Sequence, residues 1–333
     1  MSPKVTRGRA FARAGLLGNP SDGYFGRALS VVLRNFQATV TLEESADLRI
    51  DGGAHDSAVF RDMGQLASHV GRHGYGGGGR LIQAALKTFH AHCEELGCTL
   101  SRQTFTVRYE TSIPRQVGLA GSSAIVTAAF RGLMSFHDVR IPREKQPNLI
   151  LSVEVDELGI TAGLQDRVVQ VYEGLVYMDF SRQLMGESGH GAYESLDPAL
   201  LPRMFVAHRP ASTKVSGAAH GDLMQRWRSG DQEVHETLGR IAALASAGRD
   251  ALLAGDVASF SSLMNENFDL RRRIMRIEDR DLAMVKAARE MGASAKLTGS
   301  GGAIIGGLES EEMEVRVRER LVATGARVIE PMV

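Results

Sequence analysis

A glycine- and serine-rich turn that leads straight into a helix constrains this chain more than any other stretch. It lies in "TSIPRQVGLAGSSAIVTAAF", residues 111–130, where no side chain from Gly118 to Ser123 is larger than leucine. A predicted strand feeds the turn, and Ser122 and Ser123 stand at the cap or in the first turn of the predicted helix 122–136. The unpaired amides and partial positive charge of a helix N-terminus suit an anion, so the turn predicts a phosphate-binding loop. A tight turn with an ordinary serine N-cap explains the same residues.

Other glycine motifs with a known chemistry are excluded by their spacing. A P-loop requires G-x-x-x-x-G-K-[ST], and no such string occurs. The stretch "GSGGAI" at 299–304 does not match the dinucleotide fingerprint G-x-G-x-x-G, and strand-like isoleucines follow it where that motif needs a helix. The string G-x-S-x-G is absent, so a nucleophile elbow has no support.

Composition and charge narrow the possible partners. The 333 residues carry 39 basic and 39 acidic side chains, and this neutral balance gives no broad surface for nucleic acid or an anionic membrane. Cys93 and Cys98 are the only cysteines, which is too few for a disulfide framework and fits reduced thiols. No signal peptide and no apolar stretch near 18 residues is found in the sequence. We therefore expect a cytoplasmic protein without a nucleic-acid or membrane partner.

The pattern of strands and helices predicts an α+β fold. Strands and helices mix in both halves without the strict alternation of a doubly wound sheet. A polar, glycine-containing stretch at 181–199 is interpreted as a connection and as the domain boundary. Strands are predicted at 29–42, 104–109, 174–180 and 326–331, with a strand–turn–strand in "AKLTGSGGAIIGGL"; helices are predicted at 81–96, 122–136, 147–158, 218–229, 233–254, 257–275, 279–291 and 310–324.

Three segments in a particular order make the chain resemble the GHMP kinases, small-molecule kinases typified by galactokinase, homoserine kinase and mevalonate kinase. They are "AFARAGLLGNPSDGYFGR" at 10–27, "PRQVGLAGSSA" at 114–124 and "KLTGSGG" at 296–302. The second is similar to the family's phosphate loop, usually P-x-x-x-G-L-G-S-S-A, with Ala120 in place of the middle glycine. The third is similar to the C-terminal glycine motif that backs this loop.

The resemblance implies a two-domain fold. The N-terminal domain, at 1–190, is expected to be ribosomal S5 domain 2-like, with a left-handed βαβ unit, and to carry the phosphate loop. The C-terminal domain, at 191–333, is expected to be ferredoxin-like.

The resemblance also implies ATP and Mg²⁺ as cofactors and assigns a role to individual residues. Asp166 would accept or orient the proton of the attacking hydroxyl, and Arg13 would keep that carboxylate ionised and neutralise the transferring phosphoryl group. Ser123 and Glu154 would hold Mg²⁺; Glu154 has rivals in the neighbouring carboxylates. The ATP phosphates would lie against Pro114, Gly118, Leu119, Ala120, Gly121, Ser122, Ser123, Ala124, Gly299, Ser300 and Gly301.

Within the family, the resemblance is closest to members that phosphorylate the anomeric hydroxyl of glucuronate. Asn19 and Asp22 are then expected to bind the sugar, although an Asx turn explains Asp22 as well. A uronate carboxylate needs a cation, and Arg272 is the first choice, with Arg271 second. A solvated helix face explains both arginines equally.

Other functions stay open beside the uronate kinase. One is a different sugar-1-kinase, acting on galacturonate, a heptose phosphate or a neutral hexose; another is a sensor that binds sugar and ATP without turnover. The partners implied are a small-molecule uronate sugar and ATP, and the chain would be a monomer or homodimer.

Overall fold

A computed structural model describes residues 3–51, 57–209 and 217–333. The chain forms two compact units, each assembled from separate segments. The first consists of Met1–Ala12, Phe36–Ile113 and Gly121–Ala162, and the second of Arg13–Asn35, Pro114–Ala120 and Gly163–Val333. The predicted domains 1–190 and 191–333 divide the chain along its sequence and stay a prediction.

The first unit contains a mixed sheet. Its strands are ordered β4-β3-β5-β2; β3 runs parallel to β5 and the other neighbours are antiparallel. The long strands β1 and β2 pair with each other, and each continues into the second unit. The elements are β1 (Val5–Leu17), β2 (Arg27–Ser45), β3 (Leu48–Asp51), β4 (Ser57–Phe60), α1 (Met63–His73), α2 (Arg80–Glu95), β5 (Thr104–Thr111), α3 (Gly121–His137), α4 (Gln146–Ser152) and a π-helical turn at Val153–Glu157.

The second unit adds two short strands to the other end of β2 and forms a sheet of its own. Residues Arg27–Val31 of β2 pair with β6, and β6 pairs with β7. Its elements are a 3-10 helix (Ser21–Tyr24), α5 (Gln165–Tyr172), β6 (Leu175–Asp179), α6 (Arg182–Ser188), β7 (Ala192–Leu196), a 3-10 turn (Pro198–Leu200), β8 (Met204–His208), α7 (Gly217–Arg228), α8 (Gln232–Leu253), α9 (Val257–Ile274), α10 (Asp279–Glu290), β9 (Lys296–Leu297), β10 (Ala303–Gly307), α11 (Glu311–Val322) and β11 (Arg327–Ile329).

The four-stranded sheet of the second unit has the strand order β11-β8-β10-β9. Numbered along the chain, this is 4-1-3-2, the order of a ferredoxin-like sheet, with α11 connecting the third strand to the fourth. All three pairings are antiparallel. A core that includes Phe205, Phe268 and Met284 packs on the sheet. The expected α+β class and ferredoxin-like arrangement are confirmed.

Several elements differ from those that the sequence pattern predicts. The stretch 181–199 is not a plain connection, because it contains α6 and β7. Helix α6 buries none of its residues, so its sequence lacks the apolar periodicity by which a packed helix is predicted. The predicted helix 147–158 ends as an α-helix at Ser152 and continues as the π-helical turn. The pattern also misses helices α1 and α5 and strands β1, β3, β4 and β8. The last eight residues of β1 are all buried, so the strand lacks the alternation that identifies a half-buried one.

Candidate functional site

An ion pair between β1 and α5 lies at the centre of the predicted site. Arg13 donates from Nε to Oδ1 of Asp166 at 2.6 Å, although the two residues are 153 positions apart. The Arg13 side chain is 7% exposed and that of Asp166 is 21% exposed. Arg167 Nη1 lies 3.6 Å from the other oxygen of Asp166. Asp166 is therefore a solvent-reachable carboxylate whose charge is compensated by two guanidinium groups.

The same arginine fixes the predicted phosphate loop. Arg13 Nη1 donates to the carbonyl oxygens of Gly118 at 2.8 Å and of Thr298 at 3.0 Å. Its own backbone nitrogen donates to the carbonyl of Leu119 at 3.3 Å. One side chain thus connects the carboxylate of Asp166 to both glycine-rich segments of the unit.

The two glycine motifs contact each other so closely that side chains would not fit between them. A Cβ on Gly118 would lie 2.7 Å from the carbonyl oxygen of Gly301, and one on Gly302 would lie 2.7 Å from the Cα of Val117. Gly118 also has a φ of +68°, in the left-handed region that favours glycine. The hydroxyl of Thr298 donates to the Gly118 carbonyl at 3.0 Å. The glycines therefore serve a direct backbone contact.

Ala120 also has a left-handed backbone, with a φ of +59°. Residues 114–124 number eleven, one more than the family pattern, so Ala120 is an added residue before Gly121 and not a replacement for a glycine. Gln170 Nε2 donates to its carbonyl at 3.0 Å and holds the bend. Directly after it, α3 begins at Gly121, with Ser122 exposed and Ser123 buried. A helix N-terminus, whose first N–H groups have no acceptor within the helix, thus follows the bend directly.

Asp22 lies beside the N-terminus of α5. Its Oδ2 accepts a hydrogen bond from the backbone nitrogen of Gln165 at 3.3 Å. A Cβ on Gly163 would approach the same oxygen to 2.1 Å, so this contact requires glycine. Burial, and then the negative charge of Asp166, raise the pKa of Asp22 to about 6. The site thus holds two carboxylates with different electrostatic environments.

Buried cations lie in the same unit as these carboxylates. Lys296, 1% exposed, donates from Nζ to the Gly15 carbonyl at 2.8 Å, to Asn19 Oδ1 at 2.6 Å and to the Leu297 carbonyl at 3.0 Å. Arg271, 3% exposed, donates to the Gly299 carbonyl at 2.7 Å. Sequence reasoning misses Lys296, although it opens the quoted "KLTGSGG", because within that motif only Gly299, Ser300 and Gly301 are given a role.

The two arginines predicted for a substrate carboxylate have different surroundings. Asn267, on α9, donates from Nδ2 to the Asn19 carbonyl at 3.1 Å and accepts from the Gly18 nitrogen at 2.8 Å. Arg271 follows Asn267 by four residues and therefore shares its helix face. Arg272 is exposed, with its guanidinium 5.9 Å from the centre of the Phe268 ring. Of the two, Arg271 is therefore on the face that reaches Asn19.

The predicted metal ligands both belong to the first unit. Ser123 is fully buried and Glu154, in the π-helical turn, is 1% exposed. Over the residues that the structure describes, no group of three or more His, Cys, Asp or Glu side chains is arranged to hold a metal ion. Mg²⁺ usually takes one or two carboxylates and completes its shell with phosphate oxygens and water. A hydroxyl and a carboxylate are hard oxygen donors of the kind that it requires.

Glu157, in the same π-helical turn, anchors the glycine-rich segment before α2. Its Oε2 accepts from the Tyr75 hydroxyl at 2.5 Å and from Lys87 Nζ at 2.7 Å. Burial and the Glu157 carboxylate raise the pKa of Tyr75, so the phenol stays protonated and keeps donating. The segment that carries Glu154 is thereby attached to the "GYGGGG" stretch.

A cavity of about 950 Å³ lies elsewhere in the first unit. Its lining includes Arg61, Arg72, His90, Arg102 and His137, and none of the predicted site residues. Among the described helices, none is long and apolar enough to cross a membrane.

Two family models match segments of this chain. Residues 80–174 match the family model for the GHMP kinases N terminal domain, and residues 249–327 match that for the GHMP kinases C terminal.

Two curated relatives come from Arabidopsis thaliana. Glucuronokinase 1 is 46% identical over 305 residues, covering 89% of this chain and 83% of that protein. Probable glucuronokinase 2 is 44% identical over 333 residues, covering 97% and 90%.

A solved structure with the same fold is the Lactococcus lactis galactokinase complexed with galactose. It is 14% identical with a TM-score of 0.77, covering 99% of this chain and 94% of that one.

Proposed function

This chain belongs to the GHMP kinase family and is a sugar kinase, a phosphotransferase with an alcohol group as acceptor, and on that premise we propose that it phosphorylates the anomeric hydroxyl of glucuronate. The reaction requires Mg²⁺ and converts ATP and glucuronate to ADP and glucuronate 1-phosphate. The identity of 44–46% to two glucuronokinases supports glucuronate as the acceptor. The Arg13–Asp166 pair, held against the phosphate loop, is the structural observation that carries the proposal.

Asp166 is the proposed partner of the attacking hydroxyl. As a bond forms between the anomeric oxygen and the γ-phosphorus, the hydroxyl proton passes to a carboxylate oxygen, and the bond from the γ-phosphorus to the β,γ-bridging oxygen breaks. Arg13 Nε stays on Oδ1 of Asp166 and holds the carboxylate in place. Its positive charge also compensates charge that develops on the transferring group.

The phosphates are proposed to bind to the loop Pro114–Ala120 and to the residues that follow it in sequence at the start of α3. The dipole of α3 favours an anion at its N-terminus, as at the start of any helix. The proposed contacts come from Pro114, Gly118, Leu119, Ala120, Gly121, Ser122, Ser123, Ala124, Gly299, Ser300 and Gly301. The contact of Gly118 with Gly301, which requires glycine, supports a rigid loop.

Ser123 and Glu154 would hold Mg²⁺, which would neutralise phosphate charge when bound. Both side chains are buried in the first unit, and both supply the oxygen donors that this ion prefers. The anchoring of Glu157 by Tyr75 and Lys87 supports a fixed position for the turn that carries Glu154.

The acceptor is proposed to bind at Asp22 and Asn19, near a surplus of buried positive charge. Arg13, Arg271 and Lys296 are each at least nine-tenths buried. Of these, only Arg13 has a carboxylate within ion-pair distance in the part of the chain that the structure describes. A surplus of this kind supports an acidic acceptor over a neutral hexose. Arg271 is the better placed of the two arginines for a substrate carboxylate, and Arg272 stays a prediction.

The test is ADP release with ATP and Mg²⁺ against glucuronate, galacturonate, galactose, glucose and a heptose phosphate. We expect selective turnover of glucuronate. Asp166→Asn should lower kcat by at least about 100-fold, because a general base contributes about that factor or more. Asp250→Asn is the matched control, since Asp250 is exposed and paired with Arg249, and it should leave kcat unchanged.

Each other outcome points to a different function. Turnover of another sugar, but not of glucuronate, would support a sugar kinase and would reject glucuronate as its acceptor. ATP binding without turnover of any sugar would favour a sensor.

A further inference from the structure

The orientation of the Asn19 side chain is fixed by a buried lysine. Lys296 is an ammonium with three donors and no acceptor, and three oxygens surround its Nζ at 2.6–3.0 Å. One of these oxygens is Oδ1 of Asn19, at 2.6 Å. Because the amide oxygen faces Lys296, the amide NH₂ must face the other way.

That NH₂ group is a free donor in an otherwise satisfied residue. Asn19 is 5% exposed, its Oδ1 bonds to Lys296 and its backbone carbonyl accepts from Asn267. Over residues 3–51, 57–209 and 217–333, nothing accepts a hydrogen bond from Asn19 Nδ2. Nδ2 itself is not one of the fully buried atoms without a partner, so an acceptor from a ligand can reach it.

Asn19 lies beside the groups proposed to do the chemistry. Gly15 is two residues beyond Arg13 on β1, and residues two apart share a face of a strand. A Cβ on Gly15 would lie 3.2 Å from Cγ of Asn19 and 2.6 Å from Nε2 of Gln165, the neighbour of Asp166 in α5. Asn19 therefore belongs to the same site as the Arg13–Asp166 pair.

Uncompensated positive charge surrounds this position. No carboxylate is within ion-pair distance of Lys296 or Arg271 among the described residues. Burial, followed by the charges of Arg271 and Arg13, lowers the pKa of Lys296. Burial, followed by the charge of Arg13, lowers the pKa of Arg271 to about 10, although Asp281 and Asp22 oppose this. A bound anion would relieve the repulsion among these cations.

We propose that Asn19, oriented by Lys296, forms the subsite that recognises the carboxylate of a uronic acid acceptor. Asn19 Nδ2 donates to a carboxylate oxygen, and Arg271 and Lys296 supply positive charge. Lys296 is a positioning residue, because all three of its donors are already engaged by the protein. This inference rests on the proposed function and deepens it, since it identifies which groups distinguish a uronate from a neutral sugar.

Two variants and one substrate analogue test the subsite. Asn19→Asp keeps the shape of the side chain but replaces the free donor with an acceptor, and Lys296→Met removes the group that fixes the amide. The analogue is glucuronamide, which differs from glucuronate only in having an amide in place of the carboxylate. Lys286→Met is the matched control, because Lys286 is 75% exposed and lies at 4.0 Å from its nearest carboxylate.

We expect each site variant to lower kcat/KM for glucuronate by about 100-fold, as for the loss of a charge-assisted hydrogen bond from a buried site. The loss should appear in KM for glucuronate, with KM for ATP unchanged. For glucuronamide, kcat/KM should change by less than about 5-fold, so the preference for the acid is lost. Lys286→Met should keep the wild-type preference.

The outcomes separate this inference from the function on which it rests. If the wild type turns over glucuronate and Asn19→Asp keeps the preference for the acid, the subsite is wrong and the uronate kinase stands. If Lys296→Met fails to fold, the Asn19→Asp result alone decides. If the wild type neither binds glucuronate by calorimetry nor turns it over, both proposals fall.

Discussion

At the scale of single residues, Arg13 makes a set of hydrogen bonds that a lysine in its place could not make. Its Nε donates to Asp166, and its Nη1 donates to both the Gly118 and the Thr298 carbonyl oxygens. A guanidinium offers five donors in a planar fork, whereas an ammonium is a compact point charge. Arg13 can therefore orient the carboxylate and hold both glycine motifs with one buried side chain.

The raised pKa of Asp22 predicts a dependence of activity on pH. Burial, and then the charge of Asp166, raise this pKa from 3.8 to about 6, while the Gln165 amide, Arg13 and Arg167 oppose this shift. The neighbouring Tyr24 does not titrate in the same range. Burial, and then the charge of Asp22, raise the pKa of its hydroxyl to about 12, so it stays neutral. If Asp22 accepts a hydrogen bond from a sugar hydroxyl, kcat/KM should fall about tenfold per pH unit below about pH 6. Asp22→Asn should be less active at every pH and should lose this inflection.

The same shift predicts the sign of a stability effect. A raised pKa means that the folded protein holds a proton which the unfolded chain has lost, so the free energy of unfolding falls as pH rises from about 4 through about 6. Asp22→Asn should therefore be more stable than the wild type at pH 7.5 and should lose this advantage near pH 4. Equal gains at both pH values in urea unfolding would contradict a titrating Asp22. Asp250→Asn, at an exposed site, should show neither effect.

At the scale of elements, the contact between the phosphate loop and the turn after β9 depends on missing side chains. In Gly118→Ala, the new Cβ would lie 2.7 Å from the Gly301 carbonyl oxygen, at a φ of +68°. We expect a loss of about 2 kcal/mol or more in the free energy of unfolding and a large loss of kcat. Gly239→Ala, in the middle of α8 with nothing within 4 Å, should instead stabilise by about 0.5–1 kcal/mol. A Gly118→Ala protein with wild-type stability and kcat would show that the loop can move to accommodate the added methyl group.

How far each element could be predicted depends on whether its signal is local. The glycine loop and α3 were predicted, because turn and helix-start signals lie within a few residues of one another. Strand β1 was missed because its buried end lacks alternation. The contact of Lys296 with Asn19 joins residues 277 positions apart, and no spacing rule addresses such a pair. The resemblance assigns Asn19 to the sugar, whereas the direction of its amide follows only from the contact with Lys296.

At the scale of the whole molecule, the chain enters each compact unit more than once. The change of unit falls between Ala12 and Arg13 inside β1 and between Asn35 and Phe36 inside β2. The second unit therefore needs residues from the start of the chain. Its own buried polar groups reflect this, because Lys296 and Asn267 find partners in Gly15, Gly18 and Asn19.

This organisation predicts how a fragment that begins at the expected domain boundary behaves. Residues 191–333 contain all four strands of the ferredoxin-like sheet, yet the fragment loses two of the three acceptors of Lys296. It also loses Leu17, which packs directly on Gly248 of α8, so closely that a Cβ on this glycine would lie 2.0 Å from Leu17 Cδ1. Buried donors without partners are destabilising, so we expect no cooperative thermal transition by circular dichroism. Mixing with the fragment 1–190 should restore the transition, since that fragment supplies Gly15, Leu17 and Asn19. A cooperative melt of 191–333 alone, at the midpoint of the intact chain, would instead establish it as an autonomous domain.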